Sequence, residues 1–222
     1  MAQIGAEKVR SAKIAVIMGG RRKWLITVAV AVLSGGCGTA PQPAAKQEEP
    51  PPEPVDGQKA FFQCYVAARG WAGDVQGLRL ESVNIPEVKP VGGRYGAWRA
   101  SLVSPSKGRI AIYNYSVVQS SGKFIKGVFQ DHEEAYSAGL EKPWLVSAFK
   151  IGSEEAFKAA MERREAQEYV KKNPDKPMFF LLEQTRRHPN LAWRVVWGES
   201  VSRSDFSVFI DASTGRFLEV MR

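Results

Sequence analysis

The segment from residue 191 to residue 220, LAWRVVWGESVSRSDFSVFIDASTGRFLEV, decides the fold that we predict. Apolar and polar side chains alternate along 193–197 and again along 206–211, which is typical of strands that bury one face. Between the later strands, Asp211 can accept hydrogen bonds from its own backbone and Gly215 can supply a positive φ, as a tight turn requires. The segment therefore predicts antiparallel strands joined by short turns.

Three residues of this segment, Ala192-Trp193-Arg194, repeat the earlier Ala97-Trp98-Arg99 at an offset of 95 residues. The same offset brings residue 58 onto residue 153, and a helical pattern starts at each. We predict helices at 58–69 and at 153–170, the second with Ser153 as its N-cap and with 171–174 as its end. The predicted strands are 78–85, 97–103, 110–118, 124–129, 178–185, 192–198, 206–211 and 216–221. The expected fold is α+β, in two helix-plus-antiparallel-meander halves, 57–135 and 136–222, with the helices packed on one face of the sheet.

The basic character of the chain belongs largely to its first 37 residues. The chain has 31 Lys and Arg against 23 Asp and Glu, and residues 1–37 contain six of the basic residues and one of the acidic ones. The remainder is close to neutral and shows no basic face with interleaved aromatic residues. We therefore expect no nucleic-acid partner.

Residues 18–38, MGGRRKWLITVAVAVLSGGCG, show the pattern of an export signal. Arg21-Arg22-Lys23 is a positive n-region, the apolar run that follows is about half of the ~20 residues needed to span a bilayer, and small residues precede Cys37. The pattern resembles a bacterial lipoprotein signal peptide, although Ser34 stands where that family usually has Leu. The resemblance implies a signal peptide at 1–37, with a true start at Met18 or a long n-region, and lipidation of Cys37.

The resemblance also implies an address. The family's inner-membrane retention signal is an Asp after the lipidated Cys, and Gly38 stands there, so we expect a lipid anchor in the outer membrane, on its periplasmic side, if the cell has one. A twin-arginine export route, a plain secretory peptide and a signal anchor remain alternatives. Residues 38–56 form a Pro-rich linker, which favours an extended spacer.

The segment 153–220 resembles a PepSY-type domain, which has a cystatin-like arrangement of a helix followed by strands. The matching residues are Glu155-Ala156, Ala192-Trp193-Arg194-Val195 and 208–215, VFIDASTG. The first half resembles the same unit in degenerate form, without the Asp-Gly turn. PepSY-type domains occur in envelope proteins and protease propeptides, and the resemblance implies peptide binding or modulation of a peptidase, with no catalytic residues to transfer.

The residues capable of chemistry are few. Cys64 lies in a helical pattern with no base near it in sequence and is predicted to be a buried thiol. His132, in 130–134 (QDHEE), has no second His at helical spacing, so we predict a solvated connection between the halves rather than a metal site. We expect no enzyme, no cofactor and no metal.

Two places are candidate ligand contacts. Arg186, Arg187 and His188 precede Pro189-Asn190 and predict an exposed basic turn, suited to an anionic group such as a peptide carboxylate. Trp144, in the connection between the halves, is the Trp that we expect to be exposed and able to stack on a peptide or sugar. The expected function is a lipid-anchored, non-enzymatic envelope protein that binds a peptide or protein segment, with strand addition at a sheet edge as one mode. The alternative is a small-ligand or glycan binder that uses a concave face between helix and sheet.

Overall fold

The computed structural model describes residues 50–120, 124–137, 139 and 141–222, which belong to one compact unit, Glu48–Arg222. Three α-helices lie within the described residues: α1 (Gly57–Ala68), α2 (Ser153–Met161) and α3 (Arg164–Lys172). A short 3-10 turn at Val146–Ala148 precedes α2. None of the helices in this part of the chain has the length and apolar content that a membrane crossing requires.

In the described part of the chain, eight antiparallel strands form one open sheet. In chain order they are β1 (Gln76–Val83), β2 (Ala97–Ser104), β3 (Arg109–Ser116), β4 (Gly127–Ala135), β5 (Met178–Glu183), β6 (Ala192–Gly198), β7 (Ser204–Asp211) and β8 (Phe217–Met221). Their order across the sheet is β4-β3-β2-β1-β5-β6-β7-β8. The two central strands, β1 and β5, meet with Leu80 opposite Leu182. The predicted α+β class with an antiparallel sheet is confirmed.

The hydrophobic core lies between the helices and one face of the sheet. Helix α1 packs on β1 to β4 and helix α2 on β6 and β7, while Tyr169 of α3 stacks on Phe206 of β7 with ring centroids 4.6 Å apart. Strand alternation sends every second side chain into this layer. It is filled by fully buried aromatic side chains, among them Phe61, Tyr95, Trp98, Phe180 and Trp193.

The Trp residues of the repeated Ala-Trp-Arg sequence meet at the centre of this layer. Trp98 on β2 and Trp193 on β6 are fully buried, and their rings form a T-shaped pair with centroids 6.2 Å apart. Each indole donates to a main-chain carbonyl just before a helix: Trp98 Nε1 to Val55 O (3.1 Å) and Trp193 Nε1 to Ile151 O (2.7 Å). Each hydrogen bond satisfies a buried indole N–H and ties the strand of its Trp to the start of a helix.

One carboxylate satisfies the N-termini of two helices. Asp56 is the N-cap of α1, and its Oδ1 accepts from Gln58 N at 2.7 Å. Its Oδ2 accepts from Glu154 N (2.8 Å) and from the Ser153 hydroxyl (3.0 Å) at the start of α2. The N-cap of α2 is Gly152, which has no side chain. A Cβ on Gly152 would lie 2.6 Å from Asp56 Oδ1, so only Gly allows this approach.

The last residues of the predicted linker belong to the fold. Val55 forms a two-way backbone bridge with Tyr95: Val55 N donates to Tyr95 O at 2.9 Å, and Tyr95 N donates to Val55 O at 3.0 Å. Together with the cap at Asp56, this bridge fixes the chain before α1 begins. A fragment that started at residue 57 would lack both contacts.

The second predicted helix is two helices. Helix α2 ends at Met161 and α3 begins at Arg164, because Arg163 between them has extended backbone dihedrals, φ −81° and ψ 127°. The Arg163 guanidinium lies 4.3 Å from the centre of the Phe217 ring on β8. The predicted N-cap Ser153 is the first helical residue instead, and its hydroxyl accepts from Gly57 N at 2.7 Å.

His132 is solvent-exposed, as predicted, but it lies in a strand and not in a connection, because strand β4 continues to Ala135. His132 lies opposite Ile112 of β3 and is exposed, with Nδ1 3.2 Å from Asp131. Charged side chains and the register shift between Ile112 and Tyr113 mark this strand as a protected sheet edge. The charges obscured the strand in the sequence, because an edge strand buries little of either face.

Candidate functional site

The face of the sheet that the helices leave uncovered carries a row of residues that are mostly polar or charged. The same alternation that sends Trp98 and Trp193 toward the helices sends Arg99 and Arg194 to the opposite face. Strand register aligns these Arg residues across the sheet with one residue from each neighbouring strand. From β3 to β8 the row is Asn114, Arg99, Glu81, Leu181, Arg194, Phe209 and Glu219.

A cavity of about 670 Å³ opens on this face above the central strands. Val83 and Phe179 contribute apolar surface above the buried Leu181. Residues 199–202, between β6 and β7, line the cavity from one side. Its volume lies within the ~300–1,000 Å³ that small-molecule and cofactor sites occupy. Its charged lining is balanced, with three Arg and three Glu: Arg79, Arg99, Arg194, Glu81, Glu183 and Glu199. We call this site the open-face groove.

Two of the Arg residues in the groove already have carboxylate partners. Glu81 lies 3.3 Å from Arg99 and 3.5 Å from Arg79. Arg79 also reaches Glu141 at 3.1 Å, and Arg99 Nε donates to Asn114 Oδ1 at 3.2 Å. These contacts hold both guanidinium groups against the sheet.

Arg194 and Glu183 lack such partners. Arg194 donates only to hydroxyl groups, from Nε to Ser207 Oγ (3.1 Å) and from Nη2 to Ser204 Oγ (2.7 Å), and within the described residues no carboxylate lies within ion-pair distance of it. The Glu183 carboxylate makes neither a hydrogen bond nor an ion pair with any residue of the described chain. Burial lowers the pKa of the Arg194 guanidinium, and burial raises the pKa of the Glu183 carboxyl. Each charge is thus partly desolvated, and the two charges offset part of each other's burial cost, with Arg79 also acting on Glu183.

A second cavity of about 350 Å³ adjoins the groove and shares Glu183 with it. Arg186 and Arg187 line this cavity with Thr185 and Glu141. Both Arg residues are exposed. The structure therefore brings part of the predicted basic turn to the same face as Arg194.

The prediction that His188 is exposed is wrong, because its side chain is only 13% exposed. The imidazole stacks on Phe209 with ring centroids 4.5 Å apart, and Nε2 lies 2.9 Å from Glu219 Oε1. Arg187 donates from Nη2 to Glu219 Oε2 at 2.8 Å. The hydrogen bond from Arg187 is the main reason why the pKa of the Glu219 carboxyl is lowered. These contacts hold the His188 side chain on the open face of the sheet, beside β8.

The prediction that Trp144 is exposed is also wrong, since Trp144 is 2% exposed. The connection after β4 forms a two-way backbone bridge with Gly77 of β1, Gly77 N to Trp144 O (3.0 Å) and Trp144 N to Gly77 O (2.8 Å). The ring then packs in the core on Phe61 and Phe149, at 4.9 and 5.9 Å between centroids. A Cβ at residue 77 would overlap the indole, so Gly77 is the sequence signal for this close approach. Trp144 offers no face to a ligand.

The remaining candidates carry no chemistry of their own in the described part of the chain. Cys64 is fully buried, as predicted, and burial raises the pKa of its thiol to about 12, which makes it a poor nucleophile. Within the same residues no group of three or more His, Cys, Asp or Glu side chains is placed to hold a metal ion. Cys37 and the predicted signal peptide lie outside the described residues.

The sequence interpretation missed Arg99, Arg194 and Glu183. The repeated Ala-Trp-Arg sequence did indicate where the two Arg side chains lie, because a residue next to a core-facing Trp on a strand must point to the other face. Glu183 had no such signal, since its neighbours on the groove come from strands that are distant in the chain.

No protein-family model matches this chain, and no curated protein matches it. A comparison with solved structures finds the crystal structure of a candidate lipoprotein from Clostridium difficile 630, with a TM-score of 0.44 and 9% sequence identity. The match covers 78% of this chain and 95% of that chain. Neither the fold nor the function of this protein is inferred from it.

Proposed function

We propose that this protein is a non-enzymatic lipoprotein of the bacterial cell envelope that binds a peptide or protein segment in its open-face groove. The anchor is supported by residues 21–37, where a positive n-region and a short apolar run precede small residues and Cys37. Lipidation of Cys37 would hold the folded unit at a membrane surface, with the Pro-rich linker as spacer. The outer membrane is the proposed location where the cell has one, since Gly38 follows Cys37.

The fold is proposed to be a tandem of PepSY-like halves. The strand order supports this proposal, because β2, β3 and β4 extend from β1 in the same sequence as β6, β7 and β8 extend from β5. The indole contacts of Trp98 and Trp193, each to the residue before a helix cap, support it as well. PepSY-type domains are associated with peptide binding, which agrees with the presence of a groove on the open face.

The single observation that carries the binding proposal is the 670 Å³ groove. It combines apolar surface at Val83 and Phe179 with charged groups at Arg194 and Glu183 that form no contact ion pair in the described chain. Apolar surface supplies affinity, and a few placed polar groups supply orientation. A peptide offers both kinds of group at regular spacing.

Strand addition at β8 is the second mode that an observation favours. Both edge strands expose apolar side chains, Phe129 on β4 at 38% and Phe217 and Leu218 on β8 at 37% and 39%. Strand β4 also carries a run of charged side chains at 131–134, which β8 lacks. An edge strand with exposed apolar side chains can pair through its backbone with an extended peptide. A glycan or small ligand between helix and sheet has no comparable support, because aromatic side chains fill that layer.

The binding proposal is tested by panning a phage-displayed random peptide library against the fragment 48–222, which contains the whole core. We expect enrichment of peptides that bind wild-type protein with measurable affinity in solution. The matched variant is Phe179→Ser, which removes apolar surface from the groove, and it should lose most of this binding. The control Phe62→Ser, on the partly exposed side of α1, should keep it.

Two results would contradict the proposal: no enriched sequence after repeated rounds, or enriched peptides that bind Phe179→Ser as tightly as wild type.

The anchor has a separate test. Replacing Cys37 by Ala should abolish labelling by a radioactive fatty acid and release the protein from membranes, and unchanged labelling would refute lipidation at Cys37.

A further inference from the structure

The open-face groove contains two neighbouring charges of opposite sign, Arg194 and Glu183, neither of which forms an ion pair at contact distance in the described chain. They attract each other across the sheet, and Glu183 also faces Arg79. The other groove cations have carboxylates: Arg99 with Glu81 at 3.3 Å and Arg79 with Glu141 at 3.1 Å. Of the groove acids, Glu199 lies 3.0 Å from Arg203. A partly buried charge without a partner costs free energy that a complementary ligand group can recover.

Arg194 is held ready for an anionic group. Two of the five N–H groups of its guanidinium donate to Ser207 and Ser204, which leaves three for a ligand. The guanidinium also lies over the Phe209 ring, 5.6 Å from its centre. A guanidinium fixed in this way can bind a carboxylate through charge-assisted hydrogen bonds.

The spacing of the two charges matches an extended peptide. Register places Ala192 opposite Glu183 and Arg194 opposite Leu181, so Glu183 and Arg194 are diagonal neighbours on one face. Diagonal neighbours of antiparallel strands lie about 7–8 Å apart. Residues i and i+2 of an extended chain point to the same side and lie about 7 Å apart.

We infer that the groove selects an extended peptide with an acidic and a basic side chain two residues apart, the acidic group on Arg194 and the basic group on Glu183. This inference rests on the proposed peptide-binding function and adds its sequence preference. The balanced lining of three Arg and three Glu agrees with it, because a ligand with one charge of each sign leaves that balance unchanged. The partial burial of both residues strengthens the pairing, since solvent screens it less.

The test uses fluorescence anisotropy with five labelled heptapeptides of Thr. One carries Glu and Lys at positions 3 and 5, one carries them at adjacent positions 3 and 4, one has Glu at both 3 and 5, one has Lys at both, and one is uncharged. We expect the Glu-Thr-Lys peptide to bind the fragment 48–222 about tenfold more tightly than the adjacent-charge peptide, since one charge-assisted contact is worth roughly that factor.

Variants assign each charge to its partner. Arg194→Gln should weaken the Glu-Thr-Lys and Glu-Thr-Glu peptides and leave the Lys-Thr-Lys peptide unchanged, and Glu183→Gln should do the converse. The controls Arg216→Gln and Glu134→Gln, at exposed positions outside the groove, should change nothing. Thermal melting of each variant verifies that it is folded.

The outcomes separate the two proposals. Equal binding of all five peptides, or binding that neither Gln variant changes, would overturn the charge pairing while peptide binding stands. Tightest binding of the Glu-Thr-Glu peptide would overturn it as well. Binding of none of the five peptides would overturn the pairing, and the library panning then decides separately whether the groove binds any peptide.

Discussion

Replacing Asp56 by Ala should destabilise two helices at once. The carboxylate accepts from Gln58 N (2.7 Å) at the start of α1 and from Glu154 N (2.8 Å) at the start of α2. Loss of an N-cap acceptor costs about 1 kcal/mol, so two caps give about 2 kcal/mol in the free energy of unfolding. For a unit of this size, about 2 kcal/mol lowers Tm by about 4–8 °C.

The measurement is urea unfolding followed by circular dichroism, on the fragment 48–222 and its Asp56→Ala variant. Asp56→Asn keeps one acceptor oxygen and should lose roughly half as much stability. The control Glu53→Ala, at an exposed position three residues earlier, should be neutral. A loss under about 0.5 kcal/mol for Asp56→Ala, or the same loss for Glu53→Ala, would refute the double cap.

Buried groups give three further predictions. Trp144→Ala should lower the free energy of unfolding in urea by about 3–5 kcal/mol, while the folded variant keeps its peptide affinity. A variant as stable as wild type would contradict the burial of Trp144. Burial raises the pKa of the Glu183 carboxyl above its ordinary value, so the folded state binds the carboxyl proton more tightly than the unfolded state does. The folded state therefore loses stability as pH rises through the raised pKa. Urea titrations from pH 4 to pH 8 should show this loss of stability in wild type and not in Glu183→Gln. Because burial raises the pKa of Cys64 to about 12, iodoacetamide at pH 8 should leave the thiol unmodified until the protein is unfolded, and rapid labelling of native protein would contradict its burial.

Local patterns predicted most of the strands because alternation and turn chemistry are written into consecutive residues. The turn after β7 has the geometry that its sequence requires: Asp211 Oδ1 accepts from Ser213 N and Thr214 N, both at 2.9 Å, and Gly215 has a φ of 74°. The burial of Cys64 followed in the same way from the apolar face of α1. These features need no knowledge of distant residues.

The groove could not be predicted because it depends on the pairing of β1 with β5. Nothing local to Glu81 or Leu181 indicates that these residues lie opposite each other. The same is true of Trp144, whose burial depends on a backbone bridge to Gly77. A connection with polar residues is predicted to be exposed. Only the tertiary pairing shows that the connection that contains Trp144 enters the core.

The most direct test of the groove as the binding site is a ¹⁵N–¹H NMR titration of the fragment 48–222 with the Glu-Thr-Lys heptapeptide. We predict that the amide signals that shift most belong to residues 179–183, 194 and 199–202, which line the groove, and that α1 is unaffected. Shifts confined to β8, at 217–221, would place the peptide at the sheet edge instead. That result would contradict the binding roles assigned to Arg194 and Glu183.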